Sequence, residues 1–210
     1  MTEVVLVHGL WMGAWTLGYL ARRWRRQGWR TRLFPYTTTR ASLADNAARL
    51  DAFCRRSSAD VQHLAGHSLG GLVILEMLNQ ASRPHGGRVL LLGTPLGGSH
   101  LARQARRWPG AGLLLGKAAA PLGGGAERWP GDVEIGLVAG TRPLGLGTLT
   151  GRLHAPGDGT VALDETRHPD LADRVELPVT HTSMLWSPAV AQAGLAFLQN
   201  GRFEADRPAS

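Results

Sequence analysis

Short apolar, β-rich runs alternate with segments of helical period along almost all of this chain, and that alternation most constrains its fold. Val4–Val7 is the first run, ended by His8-Gly9. Four apolar residues closed by a glycine turn suit a buried central strand. From Trp15 to Gln27, apolar residues recur at Leu17, Leu20, Ala21 and Trp24, one helix face with arginines on the other side. Gly28 stops that helix and Thr31–Tyr36 reads as a second strand. Ser42 with Asp45 is a capping-box signature, and Leu43, Ala47, Leu50 and Cys54 mark the inner face of the helix it opens. A strand Val61–Ala65, a helix from Leu69 to about Ala81, and strands Arg88–Leu92, Val133–Ala139 and Arg174–Leu177 follow. Ser187-Pro188 opens the last helix and Asn200-Gly201 ends it. No internal repeat is visible. The order predicts an α/β fold: a mostly parallel central sheet flanked by helices on both faces, with right-handed crossovers.

With 210 residues, 43% of them hydrophobic, the chain is read as a single domain over 1–210. The stretch 97–130 is less regular, with Gly-Gly pairs, Trp108, Pro109, Pro121 and Trp129, and is expected to be a small insert or lid with one or two short helices. The single cysteine, Cys54, excludes an internal disulfide and cysteine-rich metal sites, and its apolar neighbours mark it as core packing. Met1-Thr2-Glu3 lacks the basic region of a secretory signal, and prolines and Lys117 break the longest weakly charged stretch, so a cytoplasmic protein with no membrane span is expected. The net charge is +7, carried by 22 Arg and one Lys. Only Arg22, Arg23, Arg25 and Arg26 cluster; they read as a solvated helix face, and no nucleic-acid partner is expected. No oligomeric state is legible.

Gly66-His67-Ser68-Leu69-Gly70 matches G-x-S-x-G. The pentapeptide alone is a modest signal, and its context decides. It follows an apolar strand and opens an apolar helix. At so sharp a turn, side chains at 66, 70 and 71 would collide with the strand and helix, and all three are glycine. The turn lifts Ser68 to the carboxyl end of the sheet, near the positive end of a helix. The competing reading is a helix-capping serine. His67 is expected to point away from Ser68 and to pack or hydrogen-bond.

A serine hydroxyl needs a base. Of eight histidines, His181 is best placed, after a strand and before the final helix; His154 and His168 are the weaker candidates. His63 alternates with strand side chains, His85 sits in a turn and His100 in the insert. The acid, in the order Ser–Asp–His, is read as Asp158, flanked by glycines 23 residues before His181. Asp132, Asp164, Asp170 and Asp173 are the alternatives. Oxyanion donors are expected from the Leu69 N–H and from the loop His8-Gly9-Leu10-Trp11, with Leu10 first and Trp11 second. Trp11, Leu96 and Leu185 are candidates to line an acyl pocket, or equally to be ordinary core.

Val5-Leu6-Val7-His8-Gly9-Leu10, Gly66-His67-Ser68-Leu69-Gly70-Gly71, Asp158 and His181 together resemble the α/β-hydrolase superfamily, and within it compact bacterial lipases and esterases. Gly93-Thr94-Pro95-Leu96-Gly97-Gly98-Ser99 resembles a G-T-P-x-x-G-S stretch of lipase-like members. The resemblance spans nearly the whole chain. It implies a Ser68–Asp158–His181 triad, oxyanion donors at Leu10 and Leu69, and a carboxylesterase or lipase-type serine hydrolase on a small-molecule ester. It implies no cofactor and no metal. The short insert, in place of a substantial cap, suggests an open site and soluble or medium-chain esters. The same triad would serve an acyltransferase or thioesterase, and the same scaffold a non-catalytic binder of polyanions through the Arg-rich helix.

Overall fold

The computed structural model describes residues 1–80, 86–105, 114–126, 128–145 and 156–203. Six strands form one sheet: β1 Thr2–Val7, β2 Arg30–Phe34, β3 Val61–His67, β4 Val89–Leu92, β5 Ile135–Gly140 and β6 Asp173–Leu177, in the order β2-β1-β3-β4-β5-β6. All five pairings are parallel, since every connection crosses over the sheet. The strands end nearly in register: Val7 faces Phe34 and Gly66, Leu92 faces His67 and Val138, and Gly140 faces Leu177. The loops that follow these residues therefore open along one rim.

Helices cover both faces. On one lie α1 Gly18–Arg25 and α6 Pro188–Asn200, whose buried residues cluster with Val4, Leu6, Leu90 and Val138. The Trp24 indole N–H donates to Ala191 O at 2.9 Å and ties the two helices together. On the other face α2 Leu43–Cys54, α3 Leu69–Asn79, α4 His100–Ala105 and α5 Ala119–Gly124 pack over Val5, Val7, Leu64 and Leu91. The helix starts follow local chemistry. Ser42 and Asp45 form a complete capping box, and Ser187 Oγ accepts from Val190 N–H with Pro188 next in line, caps worth about 1 kcal/mol each. Gly201 closes α6 in the left-handed region, at φ 76°.

The differences from the sequence reading are local. The first helix starts with a 3-10 turn, Ala14–Leu17, braced by Thr16 Oγ1 donating to Gly13 O. β2 stops at Phe34 because Pro35 brings no N–H to the ladder. The insert holds α4, a 3-10 turn Gly116–Ala118 and α5, and it rests on the body through Lys117 N–H to Thr39 O and Ala126 N–H to Leu96 O. The expected helix end near Ala81, His85, Trp108, Pro109 and His154 lie outside the described residues. Among the described residues no helix is long and apolar enough to cross a membrane, and no His/Cys/Asp/Glu group is arranged to hold a metal ion.

Candidate active site

Ser68 sits between β3 and α3 at φ 52°, ψ −119°. Among the described residues only Ser68 and Trp11 hold positive φ without being glycine, a conformation that stores about 1–3 kcal/mol of strain. The turn is as crowded as its glycines imply. A Cβ at Gly66 would lie 2.6 Å from Gly71 N, one at Gly70 2.3 Å from Val7 O, and one at Gly71 2.1 Å from Thr94 Oγ1. The Ser68 N–H donates to Leu92 O at 2.9 Å, and Thr94 Oγ1 donates to Ser68 O at 3.2 Å. The elbow is thus pinned to β4. The Ser68 hydroxyl makes no capping hydrogen bond to α3, which removes the capping-serine reading.

Across the rim, His181 and Asp158 are joined twice. The His181 N–H donates to Asp158 O at 2.9 Å, and Nδ1 lies 2.7 Å from Oδ2. An ionised carboxylate only accepts, so Nδ1 carries the proton and Nε2 keeps its lone pair. The other oxygen, Oδ1, accepts from Thr160 N–H at 2.9 Å and Val161 N–H at 2.8 Å. Burial alone would raise the Asp158 carboxyl, but His181, through the positive charge it carries once protonated and through its hydrogen bond, with the two backbone N–H donors, holds it below the ordinary value.

Two glycines bring this pair to the elbow. Gly93 follows Leu92, which holds Ser68. A Cβ at Gly93 would lie 3.1 Å from Asp158 Oδ2 and 3.1 Å from His181 Nδ1. A Cβ at Gly140, the last residue of β5, would lie 2.7 Å from Asp158 Cβ. His67 is the third link. Its Nε2 donates to His181 O at 2.9 Å, and the two rings lie 4.7 Å apart. Burial above all, with the His181 charge beside it, pushes the His67 imidazole down to about 3, so it stays neutral at neutral pH. The Ser68 hydroxyl and the His181 ring share a rim but form no direct hydrogen bond; such contacts are often long without substrate.

The loop after β1 closes the arrangement. A Cβ at Gly9 would lie 2.7 Å from His67 Nδ1 and 3.3 Å from Ser68 Cβ, so only glycine lets this loop press on the elbow. The half-buried Tyr36 donates its hydroxyl to His8 O at 2.7 Å, and its ring lies 4.4 Å from the His8 ring, tilted by 31°. The Trp11 N–H is committed to Thr38 Oγ1 at 3.3 Å. The Leu10 N–H has no acceptor among the described residues. Leu69 is the first residue of α3, so its N–H lacks an intrahelical partner. Two backbone donors thus flank Ser68.

The remaining candidates lie elsewhere or are otherwise engaged. His168 packs against Trp129 and Asp170. His63 accepts from Arg88 N–H and stacks on Trp29, and His100 heads α4. Asp173 opens β6 at the opposite sheet edge, where it accepts from Phe203 N–H. Cys54 is buried, with its thiol pushed up to about 12 by burial, and is no nucleophile at neutral pH.

Of the pocket candidates, Leu96 and Leu185 need correction. At 1% and 0% exposure they are core side chains on opposite faces of the sheet and offer no surface to a ligand, whereas Trp11 is 56% exposed. A cavity of about 410 Å³ is lined by Arg167, His168, Pro169, Leu171, Asp173 and Arg174. It lies at the strand N-terminal edge, remote from Ser68.

Sequence reasoning missed Gly140, Tyr36 and Glu165, and it singled out Gly93 within a motif without its place against the His–Asp pair. Glycine directly after a buried apolar run was the available signal for both glycines. The buried Glu165 accepts from Ala162 N–H at 2.9 Å and from His100 N–H, joining the Asp158 loop to the insert; burial pushes its carboxyl up. Nothing local marked it.

A parallel sheet carrying a strained serine elbow and a His–Asp pair on one rim defines an α/β hydrolase. A sequence profile of the alpha/beta hydrolase family matches residues 4–208, and the chain belongs to that family. No curated protein matches it. Among solved structures it is similar to the mature lipase BlEst2 of Bacillus licheniformis, at 20% identity over 95% of this chain and 91% of that one, with a TM-score of 0.75. The metagenomic carboxyl esterase MGS0156 aligns at 20% identity over 87% and 65%, with a TM-score of 0.65. An extracellular α/β-hydrolase from a Paenibacillus species aligns at 15% identity over 94% and 98%, with a TM-score of 0.59. At these identities the likeness shows the fold.

Proposed function

We propose that this protein is a serine hydrolase of the carboxylesterase or lipase type, cleaving carboxylic esters through an acyl-enzyme on Ser68. The observation that carries this reading is the 2.7 Å His181–Asp158 hydrogen bond beside a serine held at positive φ. Strain at 68 has no evident structural use, and a buried carboxylate beside an imidazole is expensive without a task. The lipase and carboxyl esterase among the structural neighbours support the same class.

His181 Nε2 takes the Ser68 proton as Oγ attacks the ester carbonyl carbon. The tetrahedral oxyanion is held by the Leu10 and Leu69 N–H groups, donors each worth about 10²–10³ in rate. Asp158 keeps the imidazole in its Nδ1–H tautomer and stabilises the imidazolium. The imidazolium protonates the leaving alkoxide, the C–O bond breaks, and the alcohol departs. Water then adds to the acyl-enzyme with His181 as base, and Ser68 recovers its proton as the acid is released. Trp11 and the insert beside it border the entry for the acyl group.

The test combines fluorophosphonate labelling with a p-nitrophenyl ester chain-length series. Wild type is expected to label and turn over, and Ser68→Ala to do neither while melting as wild type does. Full turnover by Ser68→Ala refutes the assignment.

A further inference from the structure

Among the described residues six large hydrophobic side chains are exposed: Met1, Trp11, Trp15, Leu114, Leu144 and Trp186. All but Met1 lie on segments that leave strand C-termini: Trp11 and Trp15 after β1, Leu114 after β4, Leu144 after β5 and Trp186 after β6. In a parallel, in-register sheet these segments share one rim, the one that carries Ser68. Contacts tie them to the site. The Trp11 indole N–H donates to Leu114 O at 3.0 Å, linking the loop after β1 to the insert. A Cβ at Gly159, beside Asp158, would lie 2.3 Å from Leu144 C. Trp186 ends the 3-10 turn Ser183–Trp186 just past His181, and that turn shares a core cluster with Leu17 and Leu20, next to Trp15.

Single exposed hydrophobics are ordinary; five on one rim, exposed by 47% to 77%, are not. Three are tryptophans, whose amphipathic rings suit a boundary between water and lipid. Charge indicates which boundary. The same rim exposes Arg40 after β2, Arg103 and Lys117 in the insert, and Arg142 after β5. Of the described rim carboxylates, Asp158 and Glu165 are buried, which leaves Asp45, in its capping box, and Asp164 exposed against those four cations. Away from the rim, where α1 runs back toward the start of β2, Arg22, Arg23, Arg25 and Arg26 are also exposed, and the chain carries +7 overall. Such a face repels its own copy and is drawn to negative charge.

We propose that this rim docks on an anionic lipid surface, each cation near it adding about fivefold to the partition. The ester cleaved at Ser68 is then taken from a lipid aggregate rather than from free solution. The identity of that substrate rests on the esterase reading above; the docking does not.

Ser68→Ala protein, which leaves lipid intact, is sedimented with vesicles of phosphatidylglycerol or of phosphatidylcholine. Partition onto phosphatidylglycerol with a blue shift of tryptophan emission is expected, weakening with salt. Adding Trp15→Ala and Trp186→Ala should lower that partition by about tenfold, since affinity scales with inserted apolar area. In the Ser68 background the same two changes should leave hydrolysis of a water-soluble p-nitrophenyl ester at the wild-type rate. No partition onto phosphatidylglycerol, equal partition onto both lipids, or unchanged partition of the tryptophan variant overturns the proposal. So does a dimer that those two changes dissolve, which would assign the surface to a second copy. Vesicle binding without any ester turnover removes the esterase reading alone; turnover without vesicle binding removes the docking alone.

Discussion

Asp158→Asn tests the relay with a change of one atom. Asp158 Oδ1 accepts from the Thr160 and Val161 N–H groups at 2.9 and 2.8 Å, while Oδ2 faces His181 Nδ1 at 2.7 Å. In asparagine one of these positions becomes an NH₂ donor. It cannot face two backbone N–H groups, so the amide oxygen must keep the Oδ1 place and the NH₂ must take that of Oδ2. His181 Nδ1 is then forced to accept, the ring proton moves to Nε2, and no lone pair remains for the Ser68 proton. The loss of kcat should be about 10⁴-fold, or about 5 kcal/mol of transition-state stabilisation, with KM little changed. Stability should change little, because both loop N–H groups keep their acceptor. Steady-state turnover of a p-nitrophenyl ester, with urea melts as the control for folding, measures both. A kcat within about tenfold of wild type would refute the tautomer reasoning. A large loss from Asp164→Asn instead would move the acid role to that residue.

Three further outcomes are expected. Tyr36→Phe deletes the 2.7 Å bond to His8 O and should cost about 1 kcal/mol in urea melts, with kcat falling as the oxyanion loop loosens; wild-type kcat would remove Tyr36 from the site's support. Gly70→Ala drives a Cβ to 2.3 Å from Val7 O and 2.6 Å from His8 O, both rigid backbone, so it should destabilise by about 1–3 kcal/mol or more; a wild-type melt would contradict the packing of the elbow. Acid should destabilise the fold early: His67 stays neutral in the native state down to about 3 but protonates near 6.5 when unfolded, so the unfolded state binds more protons between those values. Stability should therefore fall with falling pH across that window, by up to about 1.4 kcal/mol per pH unit for this group. His67→Gln should flatten the slope of urea stability against pH, and an unchanged slope would assign it to other groups.

What the sequence determined by itself is local. Apolar periodicity, caps and glycine stops place strands and helices to within a few residues, because the backbone period and orphaned N–H groups act over one or two turns. The elbow belongs here too: Gly66, Gly70 and Gly71 are legible because the crowding they relieve comes from segments a few residues away or from the strand that must pair beside them.

The tertiary structure decided the rest. Asp158 was one of five aspartates considered and His181 one of several histidines. The structure brings those two within 2.7 Å, while Asp173 is sent to the far sheet edge by the parallel crossover into β6. Leu96, Leu185 and Trp11 are all apolar in sequence, yet only the packing of helices on the sheet decides which are core and which meet solvent. Gly93 and Gly140 matter because a loop from elsewhere in the chain crosses each of them, and Glu165 because it bridges two loops. Spacing along a chain reports local geometry, whereas convergence of distant loops depends on how the whole sheet stacks its ends.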